Sequence, residues 1–424
     1  MDIIQKYSLE KQYLSSIKDY RFPYLDIGKV MATQIWKTLN RSKKEIIKRI
    51  CSVILFDKYL LNINVISNSH SLLLSASAGE LRGDNSEIIN NAKQFIEPCN
   101  EIVLRKTNSF SIKHSVTKIK ITCKYFRRFK EINSVVDRIY FAANMSIVYQ
   151  LSHDLDDLLA KIDFVLTFMD TDIFENYITQ TVQNFGGKVA ALQHGQRFYI
   201  PEPCDSYVGM ENFTANYKLV WSKFSRQQYM KAGYKENRLP IVGSTKYLNN
   251  TTIKDNSVVS NSFGLFLDGP FSYGAKSANE IMLNISANVL NKDGLKCKVK
   301  PHPVDKLDYC GTNDIGLFTI VDKDDSIESM VNEIDFGIVH TSGVAIDLLI
   351  LGVPVFVFKT KDIFPIELPE QYFFENEQQL ELIIEKYYLD RNEFMKNFGK
   401  IREQYVEPDP YKLHKDFFHS LGKC

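Results

Sequence analysis

Short apolar runs alternate with amphipathic segments from about residue 150 to the end of the chain. The runs predict buried strands at residues 163–168, 188–192, 217–221, 239–243, 263–267, 296–300, 318–321, 336–339 and 355–358. The segments between them have helical spacing, with apolar side chains recurring every three or four positions. Because a helix that joins two strands in this way usually leaves them parallel, we predict parallel sheets with helices on both faces.

The length of the chain and one polar segment predict two domains. A chain of 424 residues is longer than one hydrophobic core usually supports. Residues 248–260 are rich in Asn, Ser and Thr and predict a linker. We therefore expect an α/β fold with one Rossmann-like domain at residues 1–247 and a second at 261–405. A final helix at 406–424 is expected to pack back on the first domain.

Before residue 150 the alternation is weaker, and one stretch is strongly basic. Residues 24–50 have helical spacing, and apolar runs at 51–56 and 101–104 predict buried strands. Residues 105–130 contain nine Lys or Arg and no acid, with aromatic and aliphatic side chains interleaved. The stretch predicts peripheral association with the inner face of the cell membrane, or recognition of an anionic or lipid-linked acceptor. The alternative is a solvated basic face.

The composition excludes several classes of protein. The net charge is +1 and no helix-turn-helix, zinc-finger or RNA-binding pattern occurs, so we expect no nucleic-acid partner. No apolar run reaches the ~18 residues of a membrane span, and the first residues lack a signal-peptide core, so we expect a cytoplasmic protein. Seven scattered cysteines favour reduced thiols and argue against a zinc site. The GxxxxGK[ST], GxSxG and HExxH motifs are missing, which disfavours P-loop hydrolysis, esterase and zinc peptidase chemistry.

The motif Lys300-Pro301-His302-Pro303 directly follows a predicted strand. Its prolines hold the imidazole at the end of a sheet, which is where open α/β sheets bind ligands. We therefore expect Lys300, His302 and Pro303 to line a site for a nucleotide phosphate, with the imidazole as a hydrogen-bond donor. The alternative is a histidine on a surface loop.

Two further motifs follow strands of the second half. Thr341-Ser342-Gly343 opens a helix, and the free N–H groups of a helix N-terminus bind phosphate well. The two hydroxyls add donors, although Ser342 can instead serve only as a helix cap. Asp268-Gly269 forms a turn at the end of its strand, where a ligand contact and a plain turn are both open.

Polar residues also follow two strands of the first half. His194 lies in Gln193-His194-Gly195, and Gly195 permits a close approach of the backbone to a ligand. Asp170 and Asp172 follow the strand at 163–168, where a carboxylate can act as general base for an acceptor hydroxyl. Each aspartate can equally cap the next helix, and the histidine can be incidental.

These motifs, in this order, resemble those of bacterial surface-polysaccharide glycosyltransferases of the GT-B fold, in which two Rossmann-like domains face each other across a cleft. The resemblance covers roughly residues 160–360. It rests on Gln193-His194-Gly195, the segment 221–243, His302-Pro303, Thr341-Ser342 and Gly352-Val353-Pro354. The chain resembles capsule and lipopolysaccharide transferases that use CMP-activated ulosonic acids such as Kdo and sialic acid. Related loops occur in teichoic acid glycerophosphotransferases.

The resemblance implies an enzyme that needs neither metal nor cofactor. Its substrates are a nucleotide-sugar donor, linked to CMP, and a glycan or lipid-linked glycan acceptor. In this pattern the second domain binds the donor, with His302, Thr341 and Ser342 at its phosphate. The first domain binds the acceptor, Asp170 or Asp172 is the base, and His194 lines the cleft. Asp347 departs from the pattern, because many relatives have Glu there.

Three other functions fit the same motifs. A CDP-glycerol or CDP-ribitol phosphotransferase moves a polyol phosphate instead of a sugar. A UDP-sugar 2-epimerase on the same fold needs no acceptor. A non-catalytic glycan-binding protein consumes no sugar nucleotide.

Overall fold

Two six-stranded sheets, one in each half of the chain, organise the fold. The computed structural model describes residues 3–18, 21–22, 24–66, 69–75, 83–110, 112–193, 195–196, 199, 213–248, 253–269, 275–302, 317–322, 325–360 and 366–422. Helices cover each sheet, so the prediction of two α/β domains is confirmed.

The elements of the first half begin with a mainly helical segment. The helices are α1 (Ile3–Lys18), α2 (Ile27–Leu39), α3 (Lys43–Leu55), α4 (Gly83–Lys93), α5 (Ile112–Arg128), α6 (Val135–Leu159), α7 (Ile173–Asn184) and α8 (Lys223–Lys231). The strands are β1 (Arg21–Phe22), β2 (Leu25–Asp26), β3 (Phe56–Asn64), β4 (Ser71–Ser75), β5 (Asn100–Phe110), β6 (Phe164–Thr167), β7 (Lys188–Leu192) and β8 (Tyr217–Leu219). Two 3-10 turns follow, at Glu236–Arg238 and Thr245–Tyr247.

The second half alternates more regularly. The strands are β9 (Ser262–Phe266), β10 (Lys296–Lys300), β11 (Thr319–Ile320), β12 (Phe336–Val339), β13 (Val355–Phe358) and β14 (Phe373–Phe374). The helices are α9 (Ala275–Asp293), α10 (Val344–Ile350), α11 (Glu377–Leu389), α12 (Arg391–Arg402) and α13 (Pro410–Ser420), and 3-10 turns occur at Val331–Glu333 and Glu370–Tyr372. The bounds of β10, β12 and β13 match the predicted runs.

The first sheet has the order β3-β5-β4-β6-β7-β8. Its strands are parallel except β3, which runs antiparallel to β5 at the edge and departs from the all-parallel prediction. The predicted strand at 239–243 is reduced to one bridge between Ile241 and Val220. Strand β4 alternates, with Leu72 and Leu74 facing one helical layer and Leu73 the other.

The prediction of a strand at residues 51–56 is wrong. Residues 51–55 form the end of α3, which begins with a capping box of Ser42 and Glu45, and Phe56 alone belongs to a strand, β3. Ile46, Ile50 and Val53 recur at helical spacing and are buried in the core of the first domain. A short apolar run is compatible with either a strand or a buried helix turn, and here packing on the neighbouring helix selects the helix.

The second sheet has the order β11-β10-β9-β12-β13-β14, and every pair is parallel. The chain starts in the middle at β9, builds outward through β10 and β11, and then crosses to β12 on the other side. The loops after β9 and β12 therefore diverge at the carboxyl edge of the sheet. In open α/β sheets such a switch point creates a crevice for ligands.

Segments of the first half contribute to the core of the second. Trp221 lies just before α8 and Phe224 in its first turn, and both are buried with Tyr247 among the side chains around β9 and β12. The Phe224 amide donates to the Gln404 carbonyl at 3.1 Å. In the last helix, α13, Phe418 is buried against Phe95 and Phe164 of the first domain, at ring distances of 5.7 and 5.9 Å.

The described part of the predicted linker, residues 253–260, packs along the second domain. The Lys254 amide donates to the Leu351 carbonyl at 2.8 Å. The Ser260 amide donates to both carboxylate oxygens of Asp335, at 3.0 and 3.1 Å. These bonds attach the segment to the amino edge of the sheet, before β9 and β12.

Candidate functional site

A buried hydrogen-bond network lies at the switch point of the second sheet. Asp268 follows β9, and His340 and Thr341 follow β12. One carboxylate oxygen of Asp268 accepts from His340 Nδ1 at 2.7 Å, from the Thr341 hydroxyl at 2.6 Å and from the Thr341 amide at 3.2 Å. The side chains of Asp268 and His340 are almost completely buried. The network therefore joins the two loops that border the crevice.

The network also fixes the orientation of the imidazole. An ionised carboxylate can only accept, so Nδ1 of His340 carries a proton. Nε2 of the same ring lies 3.0 Å from the Thr360 hydroxyl. The backbone of Asp268 is held as well, because the Asn279 side chain accepts from its N–H at 2.9 Å and donates to its C=O at 3.0 Å. These bonds to the side chain and backbone of Asp268 hold the site rigid before a ligand arrives.

His302 lies directly over Gly269. A Cβ atom placed on Gly269 would lie 2.9 Å from three atoms of the imidazole, closer than real side chains come. Only glycine at this position leaves room for the ring. His302 itself is partly exposed, one residue after the buried Pro301 at the end of β10. The Asp268-Gly269 turn thus supports the imidazole on one side and the Thr341 loop on the other.

The residues of the predicted phosphate loop at Thr341-Ser342-Gly343 have two different roles. Thr341 donates its hydroxyl to Asp268, so this hydroxyl positions the loop and has no proton left for a ligand. Ser342 accepts from the Val344 amide at 3.3 Å, which leaves its hydroxyl proton available. Among the described residues, no acceptor bonds the backbone N–H groups of Ser342 and Gly343. Two amides and one hydroxyl can therefore donate to an anion here.

Two other residues were predicted to line the donor site, Lys300 and Pro303. Lys300 is mostly buried, and its ammonium donates to the Asp322 carbonyl at 3.2 Å, towards the loop after β11. This bond stabilises the carboxyl edge of the sheet next to His302. Pro303 lies outside the described residues.

Asp170 is held inside the first domain. One oxygen of its carboxylate accepts from the amides of Thr214 and Ala215, at 2.8 and 2.9 Å, and the side chain has no exposed surface. These bonds tie the loop after β6 to the segment before β8. The geometry gives Asp170 a structural role, and its predicted role as base stays a prediction.

Asp172 caps α7 and is paired with α2. It accepts from the Ile173 amide and from Gln34, both at 2.9 Å, and Lys37 lies 3.2 Å away. Partial burial alone would raise the pKa of this carboxyl, but the Lys37 ammonium and the N–H donors outweigh burial and lower it. A lower pKa makes a weaker base. The predicted catalytic role of Asp172 therefore stays a prediction that its surroundings do not favour.

His194 lies outside the described residues, but its neighbour Gln193 is described and is held by hydrogen bonds. Gln193 directly follows β7, is buried, and accepts from the Trp221 amide at 3.0 Å. It also approaches Ser225 at 3.3 Å, on α8. These bonds hold the carboxyl ends of β7 and β8 together beside the helix that contacts the second domain. A ligand contact of His194 stays a prediction.

Asp347, the departure from the family pattern, is bonded to the segment that joins the domains. It accepts from the Tyr247 hydroxyl at 2.8 Å and pairs with Lys246 at 3.3 Å. Burial, followed by the charge of Asp347, raises the pKa of Tyr247 well above its usual value. The carboxylate therefore connects α10, which follows the phosphate loop, to the domain boundary.

Sequence reasoning missed three residues of this site. His340 stands directly before the predicted Thr341-Ser342 pair, at the end of a strand, and this position was its only signal. Asn279 and Thr360 carry no local signal, since one lies inside α9 and the other beyond β13. Asn279 reaches Asp268 from the helix that follows β9, and Thr360 reaches His340 because β13 lies next to β12 in the sheet.

Comparison with solved structures identifies the fold. HepE from Anabaena in complex with UDP superposes with a TM-score of 0.50 and 12% identity, covering 84% of this chain and all of HepE (100%). UDP-GlcNAc 2-epimerase from Neisseria meningitidis bound to UDP-GlcNAc has a TM-score of 0.48 and 14% identity, with 84% and 100% coverage. The lipopolysaccharide outer core galactosyltransferase WaaB has values of 0.46 and 12%, with 83% and 99% coverage.

These neighbours are GT-B enzymes, and the predicted GT-B fold is confirmed. At such identities the likeness concerns the fold and leaves donor and reaction open. No protein-family model and no curated protein matches the chain. Within the part of the chain that the structure describes, no helix is long and apolar enough to cross a membrane.

Proposed function

We propose that this chain is a glycosyltransferase that transfers a sugar from a nucleotide donor to a bacterial surface glycan. The observation that carries the proposal is the Asp268–His340–Thr341 network at the switch point of the second sheet. It holds an anion-binding loop on one side and His302 on the other. The donor phosphate would lie between them, above the Asp268-Gly269 turn.

The chemistry follows from where charge develops. When the bond from the sugar to the donor phosphate breaks, negative charge grows on the leaving nucleotide. The amides of Ser342 and Gly343, the Ser342 hydroxyl and the His302 imidazole are donors placed to stabilise that charge. Because the buried network already orients the loop, little reorganisation is needed during the reaction. A GT-B site of this kind stabilises the leaving group without a metal ion.

The identity of the donor is the finer part of the proposal. The short motifs resemble transferases that use CMP-activated ulosonic acids, whereas HepE, at a TM-score of 0.50, is seen with UDP and with UDP and glucose. A panel of CMP, CDP, UDP, GDP and ADP in a thermal-shift assay separates these donors. A ligand present at about 100 times its Kd stabilises the native state by about 2.7 kcal/mol, which gives a measurable rise in Tm.

The decisive variants are His302→Ala and Gly269→Ala. Both should abolish the nucleotide-dependent rise in Tm, the first by removing the imidazole and the second by displacing it. His153→Ala is the matched control, because the His153 side chain is 88% exposed on α6. Gly399→Ala is the control for glycine, because a Cβ there meets nothing within 4 Å. If both site variants respond to nucleotide as the wild type does, the donor site is misplaced.

The acceptor base is tested by comparing Asp170→Asn, Asp172→Asn and His194→Ala. The variant that lacks the base should lose transfer to acceptor but keep the nucleotide-dependent Tm rise. From the bonds of Asp170, we expect its variant to lose stability instead. Incubation of the wild type with the preferred sugar nucleotide separates the other functions: a product that gains phosphorus indicates polyol-phosphate transfer, and formation of the C2 epimer of the donor sugar without acceptor indicates epimerisation.

The acceptor is proposed to be a glycan carried on a lipid at the inner membrane surface. The basic stretch 105–130 supports this proposal, because a lipid-linked acceptor is reached only by an enzyme at the membrane.

A further inference from the structure

An exposed apolar surface covers two neighbouring helices of the first domain. Both α3 and α5 pack on α6, and α3 also contacts α5. Their buried sides face this packing, so the opposite sides form one outer surface. The exposed apolar side chains on it are Ile47, Cys51 and Leu55 of α3, Phe110 at the end of β5, and Ile112, Val116, Ile119 and Cys123 of α5. We call this surface the α3–α5 face.

The α3–α5 face is continuous. The Ser115 hydroxyl of α5 donates to the Leu55 carbonyl at 3.3 Å, and Lys118 donates to the Phe56 carbonyl at 3.0 Å. The rings of Phe56 and Phe110 lie 6.2 Å apart. These contacts bring the end of α3 against the beginning of α5, so the two apolar stripes meet at the Phe110 corner.

The degree of exposure is unusual for a protein surface that stays in water. Ile112 is 70% exposed, Phe110 59% and Ile47 49%. Single exposed apolar residues need no explanation, but a contiguous group on adjacent helices marks an interaction surface. The apolar residues recur at four-residue intervals on α3 and at four- and three-residue intervals on α5, so they face one side of each helix.

The charge of the two helices indicates an anionic partner. Helix α5 contains six basic residues and no acid, and α3 contains four basic residues and one acid. The two helices therefore carry a net +9 in a chain of net +1, so the rest of the chain is at −8. Within the described residues, Lys48, Lys120 and Arg127 are exposed and pair with no carboxylate. An apolar stripe bordered by lysine and arginine is the pattern of a helix that lies on an anionic bilayer.

We propose that the α3–α5 face docks the protein onto an anionic lipid bilayer, with the apolar side chains in the acyl–headgroup boundary and the basic side chains at lipid phosphates. This surface extends the sequence prediction in two ways. It adds α3, which lies outside the basic stretch, and it removes part of that stretch. Tyr125 and Phe129 are buried in the core, and Lys118 is buried against Phe56.

The test is flotation of the full-length protein with vesicles of phosphatidylcholine alone or of phosphatidylcholine with phosphatidylglycerol. Only the anionic vesicles should carry the protein, and added salt should release it. Each Lys or Arg near an anionic surface contributes about fivefold to partitioning. The triple variant Lys120→Gln, Lys124→Gln and Arg127→Gln should therefore bind about 100-fold more weakly.

The apolar contribution is tested with Ile112→Ser, Val116→Ser and Ile119→Ser together. This variant should lose at least about tenfold in partitioning, because three side chains no longer enter the bilayer. Matched controls come from exposed positions in the second domain. Leu382→Ser with Leu389→Ser, and Lys396→Gln with Lys400→Gln, should bind as the wild type does.

Two native thiols report the geometry directly. Cys51 and Cys123 are exposed on the α3–α5 face, one on each helix. Anionic vesicles should slow the modification of both by a maleimide, measured peptide by peptide in a mass spectrometer. In a Leu382→Cys variant, position 382 should react at the same rate with and without vesicles.

Three results of the vesicle assay would overturn the proposal. They are equal binding to neutral and anionic vesicles, binding that survives both triple variants, and the absence of vesicle binding. A dimer in solution that the apolar variant dissociates would assign the face to a second copy of the chain instead. Flotation requires neither nucleotide nor turnover, so the result of the flotation assay is independent of the proposed transferase activity.

Discussion

Replacement of Asp268 by alanine should remove more stability than an ordinary surface substitution, because three donors depend on one buried carboxylate oxygen. His340 Nδ1, the Thr341 hydroxyl and the Thr341 amide all donate to it, at 2.7, 2.6 and 3.2 Å. A hydrogen bond to a charged group contributes about 1.5–3 kcal/mol, and contributions that share one acceptor add incompletely. We therefore expect Asp268→Ala to lower the free energy of unfolding by about 3–5 kcal/mol.

The measurement is urea denaturation followed by circular dichroism, with hydrogen exchange of peptides that span β12 and α10. The amides around Thr341 should lose protection before those of the first sheet. Asp268→Asn keeps an acceptor but removes the charge, so its loss should be smaller. The matched control is Asp255→Ala, which removes an exposed carboxylate whose hydrogen bonds, among the described residues, go to Ser257 in the same turn. If Asp268→Ala lowers the free energy of unfolding by less than about 1 kcal/mol, or by no more than the control, the three donors do not depend on this carboxylate.

Two further predictions concern buried charge. Burial lowers the pKa of His414 from 6.5 to about 4, so the unfolded chain binds more protons between these pH values and stability falls as the pH drops. The slope should approach about 1.4 kcal/mol per pH unit and flatten in His414→Phe; equal slopes in the two proteins would contradict the assignment. Asp335→Ala should cost about 3–5 kcal/mol in urea denaturation, because the buried Lys254 ammonium, 4.0 Å away, loses its counter-charge. Adding Lys254→Met should recover part of that loss, and no recovery would show that the pair is not coupled.

Local sequence patterns were sufficient to predict much of the secondary structure of the second domain. Strands β10, β12 and β13 are short buried runs bounded by turn residues, so their limits can be read directly. The same reading places His302 and Ser342 at strand ends, where parallel strands bring functional side chains to one edge. The prediction of a strand at residues 51–56 failed, because a run of five or six residues is too short to show whether its period is that of a strand or of a buried helix turn.

The first domain was harder to predict because its edge is irregular. Strand β3 pairs antiparallel with β5, and no local signal specifies the direction of a partner strand. The basic stretch 105–130 was recognised from its composition alone. Which of its apolar residues enter the core and which form the α3–α5 face depends on the packing of α5 against α6.

The sequence by itself determined the alternation of strands and helices, the positions of the strand ends and the residue types that stand there. The tertiary structure decided which of these residues work together. Asp268 and His340 are 72 residues apart, and they meet only because β12 inserts beside β9 after the chain has built the other side of the sheet. That pairing commits the Thr341 hydroxyl to the protein and leaves Ser342 for the ligand. Strand order is a long-range property set by packing of the whole sheet, so periodicity within a segment does not contain it.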